Sequence, residues 1–129
     1  MTRVTGIGGI FMKAKDPDAM RAWYRRHLGI EVQEWGGTTF RWNEPATPHG
    51  ATTWCIFPAT SKYFAPSAAP FMVNYRVANL AEVLVALRAE GCAVEERTEA
   101  SEHGKFGWVM DPEGNRIELW EPPPGRYEG

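Results

Sequence analysis

Two stretches of the chain follow the same plan, and this internal repeat is the strongest constraint on the fold. Residues 10–32 and residues 73–94 each contain a strand-like stretch, a helix start signal, an amphipathic helix, a glycine and a second strand-like stretch. The shared order predicts two similar units packed together. The alternative is an ordinary α+β fold whose halves are alike by coincidence, and the number of shared signals favours the repeat.

Each predicted helix carries its own start and stop signals. Asp16 can cap the free amides of the first helix, and Asn79, with Glu82 three residues later, forms a variant of the capping box. Gly29 and Gly91 are typical helix ends. Apolar residues recur with the spacing of a helix that lies on a sheet. They are Met20, Trp23, Tyr24 and Leu28 in the first helix, and Leu80, Val83, Leu84 and Leu87 in the second.

Three strands are predicted after each helix, so each half is a βαβββ module. After the first helix they span about 30–35, 38–43 and 51–57, with Gly36 and Gly37 as a hairpin turn, and after the second about 93–98, 106–111 and 116–121. The modules span about 5–57 and 71–122, and the proline-rich segment 58–70 links them. A module of ~60 residues would bury little surface alone, so we expect residues 1–129 to form a single domain.

Composition excludes several classes of protein. The chain has 129 residues, a net charge of −2 and no basic stripe, so we expect no nucleic-acid partner. No secretory signal or membrane-spanning run is visible, which predicts a cytoplasmic protein without a membrane partner. Cys55 and Cys92 leave one disulfide open but no disulfide framework. Six Trp, six Phe and four Tyr are a large number for this length, and aromatic residues often line small-molecule pockets.

The last predicted strand carries a carboxylate between two apolar residues. In "DPEGNRIELWEP", residues 111–122, a tight turn precedes the strand. Alternation places Ile117 and Leu119 on one face, and Arg116, Glu118 and Trp120 on the other. Glu118 therefore faces either water or a site.

Together these features resemble the vicinal oxygen chelate superfamily, which includes glyoxalase I, extradiol dioxygenases, fosfomycin-resistance transferases and bleomycin-binding proteins. The resemblance covers about residues 5–122 and rests on the paired modules with "WYRRHLGIEV", "LRAEG" and "DPEGNRIELWEP". It implies an α+β, glyoxalase-like fold in which two modules, within one chain or by exchange between two chains of a dimer, form a curved half-barrel sheet around a cavity. The helices lie on the convex side. The resemblance also implies a homodimer, and it turns the face of Glu118 towards the cavity.

Metal-using members of the superfamily take their ligands from four strand positions. Carried over by the resemblance, these positions fall on Gly9, Cys55, Met72 and Glu118. Glycine offers no side-chain ligand, and a thioether suits Cu(I) rather than the metals of this superfamily. We therefore expect no cofactor at the standard divalent site. A divalent metal held by other ligands stays an open alternative.

Strand alternation and the resemblance together predict the wall of the cavity. Its residues are Phe11, Thr53, Cys55, Phe57, Met72, Asn74, Arg76, Phe106, Trp108, Arg116 and Trp120. Such a mixture suits an organic ligand with an aromatic or aliphatic body and polar ends. The alternative is that these side chains fill the cavity themselves and that Glu118 forms a buried ion pair with Arg116 or Arg76.

Further aromatic residues lie outside this wall. Tyr63 and Phe64, in the linker, are predicted to form an exposed pair that covers the cavity as a lid or packs at a dimer interface. Trp35, Phe40 and Trp42 lie on the predicted hairpin, where a core role is favoured over ligand stacking.

Two functions fit these observations, and the sequence leaves open whether the protein is an enzyme. The first is a small-molecule-binding protein of the superfamily that lacks the standard metal. Sequestration of a cationic drug such as bleomycin would be one form of it. The second is a lyase, isomerase or dioxygenase-like enzyme that uses Glu118, the one strong candidate for an acid or base, with unusual ligands.

Overall fold

The computed structural model describes residues 3–42 and 50–124. Two helices and eight strands follow one another along this part of the chain. They are β1 (Val4–Ala14), α1 (Pro17–Leu28), β2 (Gly37–Arg41), β3 (Ala51–Pro58), β4 (Phe71–Val77), α2 (Leu80–Ala89), β5 (Ala93–Val94), β6 (Glu99–Ser101), β7 (Gly104–Met110) and β8 (Arg116–Glu121).

The predicted helix signals are confirmed. The side chain of Asp16 accepts a hydrogen bond from the backbone N–H of Ala19 at 3.1 Å, and Asn79 does the same for Glu82 at 3.1 Å. Gly29 follows α1 in the left-handed conformation, with φ at 68°. Neither helix is long and apolar enough to span a bilayer, within the part of the chain that the structure describes.

Two predicted strands differ from the structure. Residues 30–35 form no strand, because the chain reverses there: the N–H of Gln33 bonds to the carbonyl of Gly37 at 2.8 Å, and Gly36 adopts a φ of 98°. Local hydrogen bonds thus replace those of a ladder. The predicted strand 93–98 is only the two-residue β5, and β6 follows as a separate short strand. Residue 43, at the end of the predicted strand 38–43, lies outside the described residues.

The strands form one sheet in the order β2-β3-β1-β4-β8-β7-β5, with β6 also paired to β7. In the first half β1 and β3 are parallel, and in the second half β4 and β8 are parallel. The antiparallel pair of β1 and β4 joins the two halves at the centre. This arrangement confirms the predicted α+β fold, an open curved sheet built from two similar modules within a single chain.

The two helices pack unequally on the sheet. Below α2 lies a buried cluster of Val77, Leu80, Val83, Leu84, Val109 and Leu119. No residue of α1 is buried, and Trp23 is 50% exposed. The predicted stripe of α1 is therefore covered only in part: the ring of Tyr24 packs on Trp54 of β3 at 5.0 Å, whereas Trp23 and Leu28 stay exposed. The guanidinium of Arg21 lies between this helix and the sheet, where it donates to the carbonyl of Ile56 at 2.6 Å.

Candidate ligand-binding site

A cavity of about 490 Å³ lies on the face of the sheet opposite the buried α2 cluster. Strands of both halves contribute to it, because the central pairing of β1 and β4 places the two modules side by side. Its lining consists of Gly8, Phe11, Trp35, Thr39, Thr53, Asn74, His103, Phe106, Glu118 and Trp120. Phe11, Trp35, Phe106 and Trp120 supply its aromatic surface, and Thr39, Thr53, Asn74, His103 and Glu118 supply its polar groups, a mixture found in small-molecule pockets.

One row of residues crosses the sheet through Glu118. Glu118 pairs with Asn74 on one side and Trp108 on the other, Asn74 pairs with Gly9, and Gly9 pairs with Thr53. The resemblance places Cys55 and Met72 in one ligand set with Glu118 and Gly9. In the structure both pair with Phe11, two residues away from this row along the strands. The four predicted positions therefore lie in two neighbouring rows of the sheet.

Glu118 is buried, with 1% of its surface exposed, and three neutral donors hold its carboxylate. The hydroxyl of Tyr63 donates to Oε2 at 2.5 Å, and the indole N–H of Trp108 donates to the same oxygen at 3.0 Å. The amide of Asn74 donates to Oε1 at 2.7 Å. Burial raises the pKa of Glu118, and these hydrogen bonds only partly oppose it. Burial and the charge of Glu118 likewise raise the pKa of Tyr63.

The predicted ion pair between Glu118 and an arginine does not form. The guanidinium of Arg116 pairs instead with Glu95, from Nε to Oε2 at 2.7 Å and from Nη2 to Oε1 at 2.9 Å. Its Nη1 donates to the backbone carbonyl of Tyr63. Arg76 lies over the ring of Trp42. Neither arginine is among the described residues that line the cavity.

The structure divides the predicted wall into two groups. Five of its residues line the cavity together with the predicted acid or base Glu118: Phe11, Thr53, Asn74, Phe106 and Trp120. The other six are not among the residues that line the cavity: Cys55, Phe57, Met72, Arg76, Trp108 and Arg116. Trp108 and Met72 are buried, and the ring of Phe57 packs on Phe11 at 5.5 Å. A binding role for any of these residues stays a prediction.

The prediction that the linker pair is exposed is wrong. Phe64 is completely buried, and its ring packs against Phe57 at 5.2 Å. Tyr63 is half-buried, stacks on Phe57 and donates to Glu118. Sequence reasoning missed this contact because 55 residues separate the two side chains. A place at a dimer interface stays a prediction.

Four lining residues were not predicted: Gly8, Trp35, Thr39 and His103. Trp35 was expected in the core but is 53% exposed. An irregularity in the pairing between Ile7 and Gly9 turns Gly8 towards the cavity. A Cβ atom at Gly8 would lie 2.2 Å from Oδ1 of Asn74, so glycine leaves the space that this amide occupies. The sequence feature that could have indicated this position in the lining is the double glycine in "GIGG", residues 6–9.

The residues of this site do not fit the superfamily's divalent metal. Both oxygens of Glu118 already accept hydrogen bonds, and the rest of its row offers a glycine, a threonine and an amide. Divalent ions of this kind take several carboxylate, imidazole or thiolate ligands. Residues 3–42 and 50–124 contain no group of three or more His, Cys, Asp or Glu side chains that could hold a metal ion.

Comparison with known proteins agrees with the fold and the superfamily. The model of a family described as "Glyoxalase-like domain" matches residues 9–120, so the chain belongs to this family. No curated protein matches the sequence. This family match confirms the resemblance to the vicinal oxygen chelate superfamily. Methylmalonyl-CoA epimerases share the fold.

Three solved structures illustrate the likeness. The epimerase from Mycobacterium tuberculosis is 19% identical, with a TM-score of 0.68 over 96% of this chain and 92% of that one. An epimerase variant from Streptomyces coelicolor, in complex with 2-nitronate-propionyl-CoA, is 18% identical, with a TM-score of 0.69 over 98% and 99%. An NAD-dependent benzaldehyde dehydrogenase from Legionella pneumophila is 11% identical, with a TM-score of 0.60 over 89% and 98%. At these identities the likeness concerns the fold alone.

The raised pKa of Glu118 predicts a pH-dependent effect on stability. As the pH rises from the ordinary glutamate pKa, ~4.3, towards neutrality, the wild type should lose stability relative to Glu118→Gln. Ionisation of the buried carboxylate costs the folded state free energy, and the neutral amide avoids this cost. Each unit by which the pKa is raised corresponds to about 1.4 kcal/mol. Urea unfolding at a series of pH values measures the difference.

Glu113→Gln is the matched control, because Glu113 is exposed in the turn before β8. It makes the same chemical change without altering a buried group. A difference between wild type and Glu118→Gln that stays constant with pH, or that grows in favour of the wild type at higher pH, would contradict the assignment of Glu118 as a desolvated carboxylate.

Proposed function

We propose that the protein binds a small organic molecule in the cavity and does so without the standard divalent metal of the superfamily. The observation that carries this proposal is the cavity of about 490 Å³, whose lining combines aromatic side chains with the polar groups of Thr53, Asn74 and Glu118. This volume is within the range of pockets that hold small ligands. We call these three polar residues the floor of the cavity and the aromatic residues its walls. Phe11, Trp35, Phe106 and Trp120 would contact the body of the ligand.

In this proposal the polar end of the ligand meets the floor of the cavity. Thr53, Asn74 and Glu118 would bind it. Tyr63 and Trp108 would fix the carboxylate of Glu118 by their hydrogen bonds, and the other predicted wall residues would support the lining by packing. We also propose that residues 1–129 form a single domain, with one site built from both modules.

A neutral fluorescent probe tests the cavity. N-phenyl-1-naphthylamine should bind the wild type with enhanced emission, and Trp35→Ala should weaken binding about five- to ten-fold, as the loss of about 1–1.4 kcal/mol of aromatic contact implies. Phe40→Ala is the matched control, because Phe40 is similarly exposed, at 49%, and does not line the cavity. Equal effects of the two substitutions, or no binding by the wild type, would contradict the proposal.

A second candidate is an isomerase or lyase in which Glu118 transfers a proton. Burial raises the pKa of Glu118, so its carboxylate is a stronger base than an ordinary glutamate, and it lines the cavity. The structural neighbours with bound CoA ligands suggest the substrate to test. Incubation with methylmalonyl-CoA in D₂O should give no deuterium at the carbon between the carbonyls if the protein only binds. Incorporation that Glu118→Gln abolishes would favour the enzyme.

Further expectations follow from the resemblance to the superfamily. We propose that the protein acts in the cytoplasm as a homodimer, without nucleic-acid or membrane partners. Support for a dimer comes from large apolar side chains that are exposed on the helix-bearing face of the central strands, namely Val4, Ile7, Ile10 and Phe71. Bleomycin is one ligand that this proposal allows.

A further inference from the structure

We propose that the cavity selects a small aromatic or aliphatic cation, such as a protonated amine, over neutral or anionic molecules of the same shape. This inference rests on the proposed function and names the chemical class of its ligand. Three independent features support it: the charges around the cavity, the hydrogen-bonding capacity of its floor and the aromatic character of its walls.

The described lining of the cavity contains one acidic side chain, Glu118, and neither lysine nor arginine. Residues 43–49, which lie outside the described part, contain no lysine or arginine in their sequence either. His103 is the other titratable side chain of the lining, and it lies at the exposed rim, where Nε2 is 3.7 Å from Glu102. A carboxylate-bearing ligand would therefore meet Glu118 with no basic side chain of the described lining to offset the repulsion.

Nearby cations are bound to partners outside the cavity. Arg116 pairs with Glu95, and Lys105 lies 3.7 Å from Glu121. Arg97 pairs with Glu99 at 2.7 Å. Arg116 acts on Glu118 only through space, without a hydrogen bond, and the three hydrogen bonds to the carboxylate come from neutral donors. A cation entering the cavity would be its first charged hydrogen-bond partner.

The floor also has unused capacity to accept hydrogen bonds. An ionised carboxylate can accept about four, and Glu118 accepts three. Oδ1 of Asn74 is buried and accepts none from the described residues. Buried acceptors without donors cost free energy, so a ligand that brings several N–H groups to this floor gains binding free energy. An ammonium group supplies up to three donors together with a positive charge.

The walls suit the remainder of such a ligand. The rings of Phe106 and Trp120 are stacked, with centroids 6.4 Å apart, and both line the cavity with Phe11 and Trp35. Aromatic faces attract cations, and they also cover the apolar body of an organic amine. A buried acidic group inside an aromatic wall thus favours an organic cation over a small hydrated ion.

Three isosteric probes test the inference on the wild-type protein: 2-naphthylmethylammonium, 2-naphthalenemethanol and 2-naphthoate. Calorimetry near neutral pH should show that the ammonium binds about ten-fold or more tightly than the alcohol, and that the carboxylate binds most weakly. The preference should persist in about 0.5 M NaCl, where the screening length is roughly 4 Å, because the pair forms inside the cavity. A preference lost in salt would instead indicate attraction by the net charge, and would overturn the inference.

Matched variants locate the source of the preference. Glu118→Gln should reduce the ratio of ammonium to alcohol affinity by about ten-fold, whereas Glu113→Gln, which removes an exposed carboxylate, should leave it unchanged. Equal affinities of the three probes for the wild type, or a tighter carboxylate, would overturn the inference and leave the proposed function standing. If neither the alcohol nor N-phenyl-1-naphthylamine binds, the proposed function itself fails.

Discussion

The carboxylate of Glu118 is the point on which the proposed site depends. Its three donors come from separate parts of the chain: Tyr63 from the segment between β3 and β4, Asn74 from β4 and Trp108 from β7. Burial of a carboxylate is costly unless hydrogen bonds satisfy it, so these elements must be in place together. The same arrangement leaves the carboxylate without a hydrogen bond from a charged group, and this property distinguishes the cavity from an ordinary apolar pocket.

A second layer of contacts keeps this arrangement in place. Arg116 binds Glu95 with two hydrogen bonds, donates to the backbone of Tyr63 and lies 4.6 Å from the centre of the Trp108 ring. It therefore supports two of the three donors while its own charge is neutralised by Glu95. On the other side, the absence of a side chain at Gly8 gives the amide of Asn74 its space. The geometry of one carboxylate thus involves residues on both modules.

The helices and the fold could be predicted from local sequence signals. The arrangement of the site could not, because it depends on how strands that are distant in sequence pair with one another. The caps at Asp16 and Asn79 depend on residues three positions away, and a sequence displays such spacing directly. The contact of Tyr63 with Glu118 and the one-residue irregularity before Gly9 depend on how distant strands pair. Alternation put Glu118 on one face with Arg116 and Trp120, and the resemblance turned this face towards the cavity. The resemblance also placed Met72 in the set with Glu118, whereas the residue that pairs with Glu118 is Asn74.

The indole N–H of Trp108 reports directly on the claim that neutral donors, not a metal, hold the carboxylate of Glu118. Its ¹⁵N–¹H correlation, assigned by Trp108→Phe, can be followed while Mn²⁺ and then N-phenyl-1-naphthylamine are added. We predict that stoichiometric Mn²⁺ leaves this signal sharp and unshifted. The probe should shift it, because Nε1 of Trp108 lies 3.0 Å from Oε2 of Glu118, which lines the cavity. Broadening of the signal by stoichiometric Mn²⁺ would contradict the account.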